Sequence, residues 1–118
     1  MLDEKDLKFI DALRNINVPR NVAALITYLA NTNEATTRQI ETGTNLRQPE
    51  VSIAMRTLRQ NKWIDERDVK VAGKGRPMKV YKLRVPIQEI IQHYEVEKNN
   101  EAAETMQTIQ RLKELSST

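Results

Sequence analysis

The sequence contains no cysteine and a single histidine, His93. These absences exclude disulfide bonds, thiolate metal sites and cysteine nucleophiles, and a lone histidine cannot form an ordinary transition-metal site. No serine lies in a nucleophile elbow, and no pair of carboxylates lies in a recognisable catalytic context. We therefore do not expect an enzyme, and we expect no cofactor.

Aromatic residues and long apolar runs are also scarce. With one Phe, one Trp and three Tyr in 118 residues, the core must be mainly aliphatic, and a chain of this length fits one modest core. The longest apolar run, Val22 to Ile26, is far too short to span a bilayer, and the charged first residues do not form a secretory signal. We expect a cytoplasmic protein that does not bind a membrane.

The net charge of +3 is distributed unevenly along the chain. Residues 1–35 carry 4 basic and 5 acidic side chains, residues 36–85 carry 12 and 5, and residues 86–118 carry 3 and 6. The middle segment is therefore strongly basic between two mildly acidic flanks. Such a segment is either a solvated face or a surface for a polyanion such as nucleic acid.

Apolar spacing predicts a mainly helical chain with one β-hairpin. The predicted helices are residues 3–16 (with Asp3 as N-cap), about 19–30, 36–42 and 48–61, and a long helix after Pro86. The predicted strands lie near 64–71 and 79–85, joined by a tip at 72–78. Gly43 is expected to supply the positive φ at the exit from the third helix. Asn99-Asn100 is a weak point that can bend or interrupt the last helix.

The predicted helix over residues 48–61 has two distinct faces. At about 100° per residue, Val51, Met55 and Leu58 share one face, which we expect to pack on the preceding helices. The opposite face consists of Pro49, Ser52, Ile53, Arg56, Thr57 and Gln60. Arg56 is the best candidate for a base contact, because a guanidinium can bond bidentately to guanine. Ile53 is either a singly exposed apolar residue or a contact for a thymine methyl group.

The predicted hairpin has a basic tip. Gly73 and Gly75 allow a tight turn, so that Lys74, Arg76 and Lys79 would project toward a phosphate backbone or into a minor groove. A helix that fits the major groove, followed by a cationic hairpin, indicates binding to duplex DNA. The candidate DNA-binding residues are Arg38, Arg47, Gln48, Ser52, Ile53, Arg56, Thr57, Gln60, Lys74, Arg76 and Lys79.

Residues 20–85 resemble the winged helix-turn-helix transcriptional regulators of the MarR, ArsR and TrmB grouping, which includes many archaeal proteins. The resemblance rests on Leu46, Gln48-Pro49, Val51-Ser52, Leu58, Trp63-Ile64 and the wing Gly73-Lys74-Gly75-Arg76-Pro77. It implies a winged-helix fold, a homodimer and specific operator binding. Two positions depart from the family pattern: Arg47 stands where a capping Ser or Thr is usual, and Lys62 stands where a glycine usually ends the recognition helix.

The expected architecture is mainly α with a small β-hairpin wing, flanked by helices for dimerisation. We assign residues 1–18 to an N-terminal helix, 19–85 to the DNA-binding domain and 86–118 to a C-terminal dimerisation helix. The apolar stripe of the last helix is longer than one small domain can cover, so two subunits would bury it about a two-fold axis. The alternative is that residues 99–118 fold back on their own domain or fray.

The predicted function is that of a homodimeric regulator that binds specific sequences of double-stranded DNA. Two other interpretations stay open. A basic winged helix can serve as a protein-interaction module of the transcription machinery, and it can bind RNA, although the shortage of exposed aromatic residues for base stacking argues against RNA. The operator, the regulated genes and any effector ligand cannot be identified from the sequence.

Overall fold

A computed structural model of the chain describes residues 2–70, 73, 75 and 77–117. The elements are α1 (Glu4–Asn15), α2 (Arg20–Ala30), β1 (Ala35–Thr36), α3 (Thr37–Thr44), α4 (Gln48–Gln60), β2 (Ile64–Val69), β3 (Met78–Leu83) and α5 (Ile87–Ser116). The prediction of a mainly helical chain with one β-hairpin is confirmed. The strand β1 was not predicted, because two residues are too few to leave a periodic pattern.

The chain forms two compact units, one up to Ile87 and one from Gln88 onward. The first unit contains α1 to α4 and the sheet, and the second unit is formed by α5. Within the first unit, α1 packs against α2, and α2 also packs against α3 and α4. The helix α2 is therefore the centre around which the other three helices are arranged.

Local hydrogen bonds set the first residues of α1 and α3. Asp3 caps α1 as predicted, because its carboxylate accepts from the N–H of Asp6 at 2.8 Å and the Asp6 carboxylate accepts from the N–H of Asp3 at 3.1 Å. The hydroxyl of Thr36 caps α3 in the same reciprocal way with Gln39, at 3.2 and 2.9 Å. Both ends are capping boxes, in which two otherwise unpaired backbone donors are satisfied.

The exit from α3 differs from the prediction at Gly43. The prediction that Gly43 supplies the positive φ is wrong: this residue lies within α3, and the left-handed residue is Asn45, with φ 60°. Glycine is required at position 43 for another reason, since a Cβ there would overlap the ring of Tyr28 on α2. The glycine thus permits α3 to pack closely on α2, and α3 continues to Thr44.

The sheet is antiparallel with strand order β1-β3-β2. Ile64 lies opposite Leu83 and Val69 lies opposite Met78, so β2 and β3 form a hairpin that is paired along its whole length. Ala35 of β1 lies opposite Tyr81 on the other edge of β3. The expected tip residues Lys74 and Arg76 lie outside the described residues.

The core of the first unit is aliphatic, as predicted. Its most deeply buried large side chains are Val22, Leu25, Ile26, Leu29, Ile40 and Leu58. Thr27 is buried among them, and its hydroxyl donates to the carbonyl of Ala23 at 2.8 Å. Every buried side-chain polar atom in the described part of the chain has a hydrogen-bond partner, so the core has no unsatisfied side-chain group there.

The second unit is a single helix of 30 residues. Asn99 and Asn100 lie inside α5, so the expected weak point does not interrupt the helix. Ile90 and Tyr94 are buried, whereas the large apolar side chains that stay exposed are Ile91, Val96, Met106, Ile109, Leu112 and Leu115, at 39–64% of their full area. Despite its length, α5 is too polar to cross a membrane, and no other helix among the described residues can do so.

Candidate nucleic-acid interface

A tight turn connects α3 to α4 and sets the direction of α4. Asn45 takes the left-handed conformation, and the side chain of Leu46 is buried. The hydroxyl of Thr44 donates to the carbonyl of Ile40 at 2.6 Å and accepts from the N–H of Leu46 at 3.3 Å. The apolar anchor and this hydroxyl together hold the turn between the two helices.

The start of α4 is held by Glu50 and not by a residue at the cap position. Arg47 occupies that position, and the Glu50 carboxylate accepts from its backbone N–H at 3.1 Å. The other carboxylate oxygen accepts from the guanidinium of Arg20 at 3.3 Å, and the Glu50 carbonyl accepts from Asn21 at 3.2 Å. The negative charge of Glu50 therefore lies favourably at the positive end of the helix dipole. The side chain of Arg47 makes no capping hydrogen bond.

The two faces of α4 agree with the predicted division. Val51, Met55 and Leu58 are buried, together with Ala54. The outward residues are exposed, except for the half-buried Thr57; they are Gln48, Pro49, Ser52, Ile53, Arg56 and Gln60. Pro49 lies in the first turn, where its missing N–H would have had no partner in the helix. The outward face thus carries hydroxyl, amide and guanidinium groups on a firmly packed helix.

Three arginines on and near this helix are exposed and have no ion-pair partner among the residues that the structure describes. Arg38 lies on α3, Arg47 at the turn and Arg56 on α4. Within the described ranges none of the three takes part in an ion pair. No carboxylate in the described part of the chain therefore neutralises their positive charge.

The end of α4 shows the backbone conformation that the sequence makes unfavourable. Lys62 has φ 60°, where glycine is usual. The N–H of Trp63 donates to the carbonyl of Leu58 at 2.9 Å, and the N–H of Lys62 donates to the carbonyl of Arg59 at 3.0 Å. This pair of bonds is a Schellman motif, and the buried Trp63 then leads directly into β2.

Three cations at the end of α4 and on the hairpin differ from Arg38, Arg47 and Arg56, because they are paired with carboxylates. Glu66 on β2 accepts from Arg59 at the end of α4, and the same carboxylate lies 3.7 Å from the ammonium of Lys79 on β3. Arg84 lies 4.0 Å from Asp65. One carboxylate thus connects the end of α4 with both strands of the hairpin.

A second ion pair crosses the sheet. Arg67 on β2 donates through Nε and Nη2 to the two carboxylate oxygens of Glu34, at 3.2 and 2.6 Å. This bond lowers the pKa of Glu34 below its ordinary value, and the charges of Arg67 and Lys82 act in the same direction. Since Glu34 directly precedes β1, the pair links the two outer strands across β3.

Known structures share this arrangement of helices and hairpin. No protein-family model matches the sequence, and no curated protein matches it significantly. A possible transcriptional regulator from Methanosarcina mazei has a similar structure, with a TM-score of 0.59 and 13% identity over 86% of each chain. MepR from S. aureus, solved in its DNA-binding conformation, has a TM-score of 0.52 and 18% identity over 97% of this chain and 89% of its own. A MarR-family regulator from Neisseria meningitidis has a TM-score of 0.50 and 16% identity, over 94% and 84%.

The fold is a winged helix-turn-helix. The resemblance noted in the sequence is thereby confirmed at the level of the fold. In this fold α3 and α4 are the two helices of the helix-turn-helix, and β2 and β3 form the wing.

The winged helix brings together most of the residues singled out as DNA contacts. Those on the helix-turn-helix lie on the outer side of α3, the turn and α4, and they are Arg38, Arg47, Gln48, Ser52, Ile53, Arg56, Thr57 and Gln60. Of the wing residues, Lys79 is exposed and lies beside Glu66, while Lys74 and Arg76 lie outside the described residues.

Sequence reasoning missed the acidic residues that organise the wing. The strand β2 is mainly acidic, with Asp65, Glu66 and Asp68, whereas β3 carries Lys79 and Lys82, and this opposition of charge was a usable signal for cross-strand pairing. Glu34 left no such signal, because its partner Arg67 lies 33 residues away in the chain. Among the described residues, no cluster of three His, Asp or Glu side chains is placed to hold a metal ion.

Proposed function

We propose that this chain is a transcriptional regulator that binds specific sequences of double-stranded DNA as a homodimer. The observation that carries the proposal is the outward face of α4, where exposed hydrogen-bonding side chains stand among arginines that have no carboxylate partner in the described chain. A helix about 10–12 Å in diameter fits a major groove about 12 Å wide. The buried face of α4 holds the outward face rigidly in position.

The proposal gives the candidate residues distinct roles. Arg56 contacts a base edge, most favourably guanine, and Ser52 and Gln48 reach bases or phosphates near the start of α4. Arg38 and Arg47 contact the phosphate backbone, and Thr57 and Gln60 contact the groove further along the helix. The wing cations Lys74, Arg76 and Lys79 contact the adjacent backbone or minor groove.

The fold supports this assignment. MepR, which shares the winged helix, was solved in a DNA-binding conformation. In helix-turn-helix proteins the second helix lies in the major groove while the first crosses the backbone, which matches the distribution of free arginines over α3, the turn and α4.

The homodimer is proposed from the apolar side chains that stay exposed. Ile109 and Leu112 on α5 expose 39% and 60% of their areas, and Leu7 on α1 exposes 53%. An isologous contact between two copies would bury these side chains about a two-fold axis. The two copies of α4 would then contact half-sites ~34 Å apart on a near-palindromic operator.

A gel-shift series tests DNA binding directly. We expect saturable binding to particular genomic duplex fragments, with affinity that falls steeply as salt rises, at a log–log slope of roughly −0.9 for each phosphate contacted. Uniform weak binding to all fragments would favour the protein-interaction alternative, and a slope near zero would exclude backbone contacts by this face.

Sedimentation equilibrium of the double variant Ile109→Glu with Leu112→Glu tests the dimer. We expect the variant to be monomeric and to bind DNA more weakly, because two carboxylates from each subunit would be buried in the interface without a cationic partner. Gln107→Glu is the control, since about 100° per residue places Gln107 on the opposite side of α5 from this stripe. A double variant that remains dimeric would remove this part of α5 from the interface.

A further inference from the structure

The outward face of α4 is divided into two parallel rows. Residues four positions apart lie above one another on a helix, so each row follows one line along the axis. One row is polar and consists of Gln48, Ser52 and Arg56. The row beside it is largely apolar and consists of Pro49, Ile53 and Thr57. A row of donors and acceptors therefore runs next to a row of mostly carbon atoms.

Ile53 is the central residue of the apolar row. It exposes 55% of its area to water, although it is one of the most apolar residues of the chain. Pro49, one turn before it, adds an exposed ring that has no hydrogen-bonding side-chain atom. Burial of Ile53 against a ligand would remove this area from water, and such burial is favourable roughly in proportion to the area.

The edges of the base pairs in a major groove present few apolar groups. Thymine carries a C5-methyl group there, whereas unmodified cytosine does not. From this chemistry, and on the basis of the proposed function, we infer that Ile53 is a specificity-determining residue that contacts the C5-methyl group of a thymine in each half-site. The same residue then disfavours a base pair without a methyl group at that position.

The spacing along α4 places this thymine relative to the base that Arg56 contacts. Ile53 and Arg56 are three residues apart, which is a rise of about 4.5 Å along the helix axis. Successive base pairs are about 3.4 Å apart. The thymine therefore lies within one or two base steps of the contact made by Arg56.

The experiment begins with duplexes selected by the full-length protein from a randomised pool. In the selected site, each thymine is replaced in turn by uracil, which differs only in lacking the methyl group. One thymine in each half-site should prove sensitive, with a loss of about fourfold in affinity, the factor that corresponds to burial of one methyl group at about 0.8 kcal/mol. Replacement in both half-sites should cost about fifteenfold, since the two contacts are separate.

Protein variants then assign the sensitive thymine to its contact. Ile53→Ala should bind the thymine and uracil duplexes equally, while Ile53→Val should retain part of the preference. Arg56→Ala should weaken binding to both duplexes and keep their ratio. Because Ile53 is exposed, the alanine variant leaves the core intact, and its unfolding temperature should not fall.

The outcomes separate this inference from the proposed function. Selection that yields no preferred sequence would overturn sequence-specific binding, and the role of Ile53 with it. A preferred sequence without any uracil-sensitive thymine would overturn the role of Ile53 alone. That role is also overturned if Ile53→Ala keeps the full preference for thymine, because Ile53 is then only an exposed apolar residue.

Discussion

Seven of the basic residues of segment 36–85 form two sets that differ in their surroundings. On α3, at the turn and on α4, Arg38, Arg47 and Arg56 are exposed and make no ion pair within the described chain. At the end of α4 and on the wing, four basic residues are paired with carboxylates, and they are Arg59, Arg67, Lys79 and Arg84. Residues of both sets contribute equally to the net charge of the segment. The unpaired set can bind an anionic ligand directly, whereas the paired set must first break an ion pair.

The paired set has an architectural consequence. Glu66 binds Arg59 at the end of α4 and lies beside Lys79 on β3, so it connects α4 to the wing. Glu34 and Arg67 connect the two outer strands across β3. The Glu66 contacts therefore join α4 to the wing and the Glu34–Arg67 pair joins the outer strands, whereas Arg38, Arg47 and Arg56 make no ion pair within the described chain.

The largest expected difference between the two sets is in specific DNA binding. Arg56→Ala should reduce affinity for the preferred site by about 1–3 kcal/mol and relax specificity at one base pair, because a bidentate base contact is lost. Arg67→Ala should change the affinity by no more than about 0.5 kcal/mol, since its guanidinium already binds Glu34. Fluorescence anisotropy with the selected duplex and its single-base variants measures both effects.

The distinction between the unpaired and the paired set is contradicted if Arg56→Ala and Arg67→Ala have the same effect on DNA affinity. Equal losses on specific and random duplexes would mean that Arg56 contacts phosphate and that pairing does not distinguish the sets. A large loss in Arg67→Ala alone would assign the base contact to the sheet and not to α4.

The second prediction concerns the release of paired cations. Glu66→Gln should strengthen binding to random duplex DNA at low salt, because Arg59 and Lys79 lose their carboxylate partner. The log–log salt slope should become steeper by up to about 0.9 for each cation that gains a phosphate. Anisotropy titrations at several salt concentrations measure this slope.

Asp68→Asn is the matched control for Glu66→Gln. Asp68 is on the same strand and lies opposite Lys79 in the sheet register, but it makes no ion pair in the described part of the chain. Its substitution removes the same charge without freeing a paired cation. If both variants steepen the slope equally, general charge and not the release of specific partners governs binding.

The sequence predicted the features that depend on neighbouring residues. The cap at Asp3 and the two faces of α4 follow from local hydrogen bonding and from a spacing of three to four residues. The sequence also singled out Arg38, Arg47 and Arg56 as candidate DNA contacts from their positions in a basic helix-turn-helix pattern, and their contact with DNA stays a prediction.

The features that the sequence did not predict depend on residues brought together by the fold. Gly43 is needed because of the Tyr28 ring on another helix, and β1 exists because β3 offers it an edge. The partner of Arg67 is Glu34, which no periodic pattern relates to it. Which cations are free and which are paired therefore becomes visible only in the folded chain.

Lys62 lies between the two sets, and its substitution should affect stability more than binding. The backbone of Lys62 is left-handed, and this conformation costs a non-glycine residue roughly 1–2 kcal/mol. Glycine avoids this cost, but it loses more conformational entropy on folding, which offsets part of the gain. Lys62→Gly should therefore raise the free energy of unfolding by about 0.5–1 kcal/mol in urea denaturation. Lys62→Ala removes the same charge and keeps the strain, so it should give no such gain. A drop in DNA affinity shared by both variants would place Lys62 among the free cations that contact DNA.

The smallest expected effect is the pH dependence of the Glu34–Arg67 pair. The pKa of Glu34 is lowered, chiefly by its hydrogen bond with Arg67, so the folded state favours the charged carboxylate more than the unfolded state does. The contribution to stability is therefore present in full above the ordinary pKa of 4.5 and is lost as pH falls through the lower pKa of the folded state. Glu34→Gln should lower the unfolding temperature at neutral pH, and the decrease should be slight because the pair is exposed and screened by water.

Thermal unfolding of both proteins between pH 7 and about pH 3 should show this difference shrinking as pH falls, since the protonated Glu34 and the glutamine that replaces it are then equally uncharged. A difference that stays constant or grows toward acid would mean that Glu34 stabilises the sheet through its uncharged hydrogen bonds and not through its charge.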